Sequence, residues 1–146
     1  MLLVLLAATF WAAPSAAQNS SGVATPLTIT VRLINGKNGK PIKDDTPNIR
    51  FAGENGIYGD NPATNSSGEV VVKVHSPDIE VMPNLYADCR YKHDSTAGIE
   101  VKYSVEEILK TGIVTENVCG KRRLKPIPGV LILYARPRTL IEGIRL

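Results

Sequence analysis

Hydrophobic and polar positions alternate in several separate stretches of the chain, and the first is the clearest. Residues 28–33 place Ile29, Val31 and Leu33 on one face and are rich in β-branched side chains, which predicts a half-buried strand. Residues 35–41 follow as a turn built from residues that accept positive φ. Residues 48–51 read as a short strand, and 53–68 as a loop rich in Gly, Asn, Pro and Ser. Alternation resumes over 69–75 with Val70, Val72 and Val74 inward, until Ser76-Pro77-Asp78 stops it. A short extended piece covers 79–81. In the next run Leu85, Ala87, Cys89 and Tyr91 share one face, with Tyr86, Asp88 and Arg90 on the other. Ile99, Val101 and Tyr103 then alternate with Glu100 and Lys102, and the Gly-containing connection between these two runs predicts a hairpin.

After Tyr103 the period changes. Ser104 is a natural helix N-cap, Glu107 completes a capping box, Lys110 lies in the last turn and Gly112 just past it. These signals predict a helix of about two turns over 104–111, buried through Val105, Ile108 and Leu109; so short a helix must dock on a sheet to survive. Residues 129–135 are apolar without alternation, as in a central strand covered on both faces. Beyond Pro137, Leu140, Ile141 and Ile144 would share one side of one or two helical turns.

The N-terminus has a different pattern. Residues 1–13 are apolar and uncharged, Pro14 breaks the run, and Ser15-Ala16-Ala17 sets small residues before a cut at Gln18. That is the layout of a secretory signal peptide, although no Lys or Arg precedes the core. The run is well short of the ~20 apolar residues of a spanning helix, so no membrane span is expected after cleavage. Retention of the segment as an N-terminal anchor is the alternative. Export changes the reading of Cys89 and Cys119, the only cysteines, because two cysteines in an oxidising compartment pair. The bond closes a loop of about 30 residues, and the spacing is not that of a CxxC redox pair.

Composition narrows the functional classes. Aromatic residues make up 5% of the chain, and its one tryptophan, Trp11, lies in the leader, which argues against stacking platforms for sugar or nucleic acid. The net charge is +3, but residues 117–146 carry Lys121, Arg122, Arg123, Lys125, Arg136, Arg138 and Arg145 against Glu142 alone. A basic end of this kind steers toward anionic surfaces, and Lys121, Arg122, Arg123 and Lys125 are the candidate contacts.

Catalytic patterns are scarce. His75 lies on the polar face of a strand, and His93 precedes Asp94 in a loop, without the ligand spacing of a zinc site. His93 and Asp94 would be two parts of a hydrolytic triad, but no serine sits in a Gly-x-Ser-x-Gly elbow. Asp44-Asp45 and Asp60-Asn61 are loop acids that turn chemistry explains as well as calcium does. Gly36 and Gly39 lack the following helix of a phosphate loop. Asn19 and Asn65 begin N-glycosylation triplets.

Residues 30–33 leading into Asn38-Gly39-Lys40-Pro41-Ile42, followed by Thr64-Asn65-Ser66-Ser67-Gly68-Glu69-Val70, resemble the carboxypeptidase regulatory-like domains over about 27–92. The Pro-Gly-x-Tyr turn usual there is replaced by Met82-Pro83-Asn84-Leu85-Tyr86. The region from Ser104 on lies outside the pattern and looks like the tail of small uncharacterised secreted bacterial proteins. The resemblance implies a transthyretin-like β-sandwich of about seven strands and a non-catalytic module for folding, docking or surface binding. The hydrolases of that superfamily end in Tyr-Arg-Gly-Ser, whereas this sequence ends Gly143-Ile144-Arg145-Leu146.

The expectation is therefore a mainly β protein. Residues 1–17 form a signal peptide, 18–26 a flexible segment, and 27–146 one antiparallel β-sandwich with a helix-containing C-terminal extension. It is expected to act outside the cytoplasm, secreted or periplasmic, as a non-enzymatic binding or structural module without metal or cofactor. An envelope protein or an anionic polymer met through 121–125 is the expected partner, nucleic acid is not, and a small hydrolase using His93 and Asp94 is the rival.

Overall fold

Strand forms where the alternation runs, but strand pairing follows a different logic from chain order. A computed structural model describes residues 26–51, 62–90 and 101–139. In these segments the elements are β1 (Thr28–Asn35), β2 (Asn48–Phe51), β3 (Glu69–Lys73), β4 (Asp78–Met82), β5 (Tyr86–Asp88), β6 (Lys102–Ser104), α1 (Val105–Lys110), β7 (Ile113–Val114) and β8 (Val130–Pro137). The protein is mainly β, with two sheets and one short helix, and its eight described strands fit a β-sandwich. The larger sheet runs β3-β1-β8-β5 with β7 also against β8; the smaller runs β2-β4-β6.

The smaller sheet is antiparallel, whereas the larger is mixed, because β8 runs parallel to both β1 and β7. The helix-containing C-terminal region is thus not an addition to the sandwich, for it supplies the strand in the middle of the larger sheet. Among the described residues, the runs around Cys89 and Tyr103 do not pair as the hairpin expected of them. β5 pairs with β8 in the larger sheet, and β6 with β4 in the smaller. Alternation sets which side chains share a face, and it carries no information about which strand lies alongside.

Between the sheets, Ile29, Val31 and Leu33 of β1, Val70 and Val72 of β3, and Leu131, Leu133 and Ala135 of β8 meet Ile49, Phe51, Ile79, Val81 and Tyr103. α1 closes one end of this core with Val105 and Ile108. Its start is held by Ser104, whose hydroxyl accepts from the Glu107 amide at 3.4 Å, and by the Val105 amide on the Pro77 carbonyl at 2.8 Å. The outward positions of β8, Ile132 and Tyr134, are fully buried in a second cluster with Ile34 and Cys89. Residues 130–135 are therefore covered on both faces, as their unbroken apolarity indicates.

One residue ties the sheets together through polar bonds. Asp88 at the end of β5 accepts from the Arg90 amide at 2.8 Å and from Arg90 Nε at 2.7 Å, and the two side chains form a salt bridge. Arg90 then reaches the smaller sheet, donating to Tyr103 Oη at 2.6 Å and to the Val81 carbonyl at 3.2 Å. Burial works against the Arg90 charge, but the Asp88 hydrogen bond and charge, with Tyr103, outweigh it and raise its pKa above the ordinary value. The pair thus keeps its cation at any working pH. The side chains are 7% and 3% exposed, so removing one leaves the other's charge buried. The substitution Arg90→Ala should cost about 3–5 kcal/mol, read as a lower denaturant midpoint at unchanged slope.

Candidate functional site

The far end of β1 is where the basic residues of two distant segments meet. The turn after β1 holds its shape through Asn35, whose side-chain oxygen accepts from the Lys37 amide at 3.0 Å, and through the Gly39 amide on the Asn35 carbonyl at 2.7 Å. Against this turn lies the chain that follows β7. Asn117, 1% exposed, donates its amide to the Gly36 carbonyl at 2.9 Å and to the Arg122 carbonyl at 3.1 Å. Its Oδ1 accepts from the Cys119 amide at 3.1 Å. Gly36 is needed for this approach: a Cβ there would stand 2.4 Å from Asn117 Oδ1 and 3.0 Å from Cys89 Sγ.

Cys89 and Cys119 form a disulfide with their Cα atoms 5.4 Å apart. What it joins is an end-to-end junction along one edge of β8. Because β1 fills the other edge, β7 and β5 must share this one, β7 opposite Leu131 and Ile132 and β5 opposite Ala135 to Pro137. Between them, the Thr115 amide donates to the Ile132 carbonyl at 3.0 Å, and the Tyr134 amide donates to Thr115 Oγ1 at 3.3 Å. The Cys89 amide takes the Tyr134 carbonyl at 2.9 Å, and the Val118 amide takes the Cys89 carbonyl at 2.8 Å. Cys89 is buried, as its alternation suggests, but in the outer cluster; Tyr86 and Asp88, on the face that reads as polar, point between the sheets.

From this junction the chain leaves as an open loop. Residues 121–128 are exposed throughout. The loop is nonetheless tied down. Arg123 Nη1 donates to the carbonyls of Asn117, Gly120 and Arg122 at 3.0, 3.2 and 2.9 Å. The buried Tyr134 accepts at Oη from the Leu124 amide at 2.7 Å. The stem of Arg122 lies over Gly39, with Nε 3.4 Å from where a Cβ would be. Lys37, Lys40, Lys121, Arg122, Arg123 and Lys125 therefore share one end of the molecule, with exposed Asp44 and Glu116 the acids nearest in sequence to the two segments. None of the three ion pairs among the described residues involves these bases.

The remaining candidate residues lie elsewhere. His93, Asp94 and Asp60-Asn61 are outside the described residues, as are residues 1–17, the Asn19 triplet and residues 140–146. His75 sets its ring edge against Phe51 at 5.4 Å and lies on the rim of an open groove of about 460 Å³ lined by Leu27, Val74, Pro77, Val105 and Leu109. Asp45 is fully buried and accepts from the backbone amides of Asn84 and Leu85 at 3.2 and 2.8 Å. It is a backbone cap for the turn between β4 and β5. Among the described residues no group of three or more His, Cys, Asp or Glu could hold a metal ion. No helix of the described residues is long and apolar enough to cross a membrane. Asn65, at the head of a glycosylation triplet, is exposed in the turn before β3, and its Oδ1 accepts from the amides of Ser67 and Glu69.

Sequence reasoning missed Asn117, an ordinary turn residue by composition, and for Asp45 it gave turn chemistry without the distant turn that it caps. The one local signal for Asn117 is its Asx-turn spacing to Cys119; nothing local points to Gly36, 81 residues away. No protein-family model matches the chain, and no curated protein matches it.

In the chain-entropy relation the cross-link is worth about 3–4 kcal/mol for a loop of this length. The double substitution Cys89→Ser with Cys119→Ser should lower the urea midpoint by roughly 1–2 M. Replacing Asn117 by Ala strands a buried backbone carbonyl and should cost about 1–3 kcal/mol. Hydrogen exchange should then quicken first at the Cys119 and Leu124 amides, with β1 and β3 unchanged.

Proposed function

We propose that the protein is a non-enzymatic binding module of the periplasm or the cell exterior, and that its contact surface is the basic face built from 121–125 and the turn at 37–40. The observation that carries this reading is the way the loop is held. Its residues stay exposed while a disulfide, the buried Asn117 and the Tyr134 hydroxyl fix its backbone. A surface prepared in this way loses little conformational freedom on meeting a partner. Six cations drawn from two loops favour an anionic partner, an envelope polymer or surface, and their attraction extends about 8 Å at physiological salt.

Other features support the same reading. The signal-like N-terminus and the disulfide agree with an oxidising compartment. The resemblance to carboxypeptidase regulatory-like domains, which are modules for docking and surface binding, agrees with the two-sheet architecture and with the Asn65-Ser66-Ser67-Gly68 turn, where Gly68 has φ 73°.

The test is retention on a sulfonate resin. The protein should be held and should elute over a narrow range of salt. The triple substitution Lys121→Ser, Arg122→Ser, Lys125→Ser should elute at a clearly lower salt concentration while unfolding at the same temperature. Arg123 is left in place because its guanidinium holds three carbonyls. Identical elution of the two proteins would show that the loop is not the anionic contact.

A further inference from the structure

The same loop displays apolar side chains as well as charge. Among the described residues six large hydrophobic side chains are exposed, and three of them, Val118 at 41%, Leu124 at 40% and Ile127 at 42%, lie within the ten residues that also carry Lys121, Arg122, Arg123 and Lys125. Pro126 and Pro128 extend the same exposed run. Isolated exposed hydrophobics are ordinary on a protein surface, but a cluster rimmed by charge marks a site of interaction with a protein or a membrane.

The second hydrophobic cluster adjoins this loop at Cys119, Tyr134 and Val130. It takes Tyr134, Ile132, Ile34, Cys89 and, in part, Val114, Cys119 and Val130. Leu124 is tied to it at the backbone, its amide donating to the hydroxyl of the buried Tyr134, while its side chain stays 40% exposed. At the other end of the loop, the Val130 amide holds the Ile127 carbonyl at 3.0 Å. A Cβ on Gly112 would stand 2.1 Å from that carbonyl oxygen, so this end too is set tightly on the fold. Leu124 and Ile127 therefore keep about two-fifths of their surface exposed on a loop anchored at both ends.

Given the proposed basic contact surface, on which this inference rests, we infer that the partner is the surface of an anionic lipid bilayer, with Leu124 and Ile127 entering the interfacial region between headgroups paired to Lys121, Arg122 and Lys125. A soluble polyanion satisfies the bases but offers no apolar phase to the leucine and isoleucine. A bilayer offers both, and stable peripheral attachment takes two signals together, apolar burial and a basic patch. Lys37 and Lys40, brought alongside by the Asn117 and Gly120 contacts with the turn after β1, widen the charged footprint. Glu116 is the one acid of this segment, and it precedes Asn117 in the chain whereas the bases follow it.

Sedimentation with vesicles tests this. The exported, disulfide-bonded protein should pellet with vesicles of phosphatidylcholine mixed with phosphatidylglycerol, and far less with phosphatidylcholine alone. The triple base-to-Ser variant should bind the mixed vesicles at least about tenfold more weakly. The variant Leu124→Ser with Ile127→Ser should also lose about tenfold on vesicles, yet elute from the sulfonate resin with the parent. Thermal unfolding of both variants at the parent temperature keeps the comparison on the surface. Vesicle binding unchanged in the Leu124→Ser, Ile127→Ser variant would overturn the bilayer assignment. So would binding to the resin or to heparin without binding to vesicles, which would leave the anionic contact surface standing with a soluble polymer as partner. Failure on both resin and vesicles would remove the proposed contact surface itself.

Discussion

One edge of strand β8 is filled by two pieces of chain that meet end to end, and the rest of the molecule is arranged to make that possible. A central strand cannot leave carbonyls and amides unpaired once both of its faces are buried, because each such group would forfeit its bond to water. β7 supplies partners for the first half of the edge and β5 for the second. At the gap, the Thr115 hydroxyl accepts from the Tyr134 amide, a place where a neighbouring strand would ordinarily offer a carbonyl. The Cys89–Cys119 bond closes the junction from outside, and Arg90 with Asp88 anchors it from inside. Three consecutive residues of one short run thus serve two opposite faces, Cys89 the outer and the Asp88–Arg90 pair the inner.

This arrangement also explains the open loop. After β7 the chain must return to the start of β8, which runs parallel to it, and parallel neighbours need a crossover connection. Here the crossover is an irregular segment laid over the outer face, not a helix. Irregular backbone needs outside partners. Asn117, Arg123 and the Tyr134 hydroxyl supply them, and the side chains of 121–128 are left facing solvent. Charge that would be dispersed on a flexible tail is concentrated on a fixed surface beside the turn of Lys37 and Lys40.

The sequence was a good guide to local structure because local structure has local causes. Period-two alternation marked β1, β3 and the run through Cys89, and Ser104, Glu107 and Gly112 bracketed α1 to within a residue. The unbroken apolarity of 130–135 showed a strand covered on both faces. Two cysteines behind a signal-like leader were enough to pair Cys89 with Cys119. In the candidate site, Lys121, Arg122, Arg123 and Lys125 stood out as a charge run, and their exposure follows from the cost of burying charge.

What the residues could not specify by themselves was adjacency. The same alternation is compatible with a Cys89-to-Tyr103 hairpin and with the observed placement of β5 and β6 in separate sheets, because a strand's pattern describes its faces and not its neighbour. The parallel pairing of β1 with β8 brings together stretches a hundred residues apart, and only the packed core selects it. Asn117 and Asp45 belong to the same class: a turn residue becomes a structural hub only when a distant carbonyl or amide arrives beside it. Chain chemistry alone determined the elements, the covalent bond and the sign of the charge. Tertiary structure decided which surfaces meet, and so which charges and apolar groups stand together on one face, because that depends on contacts between residues far apart in the chain.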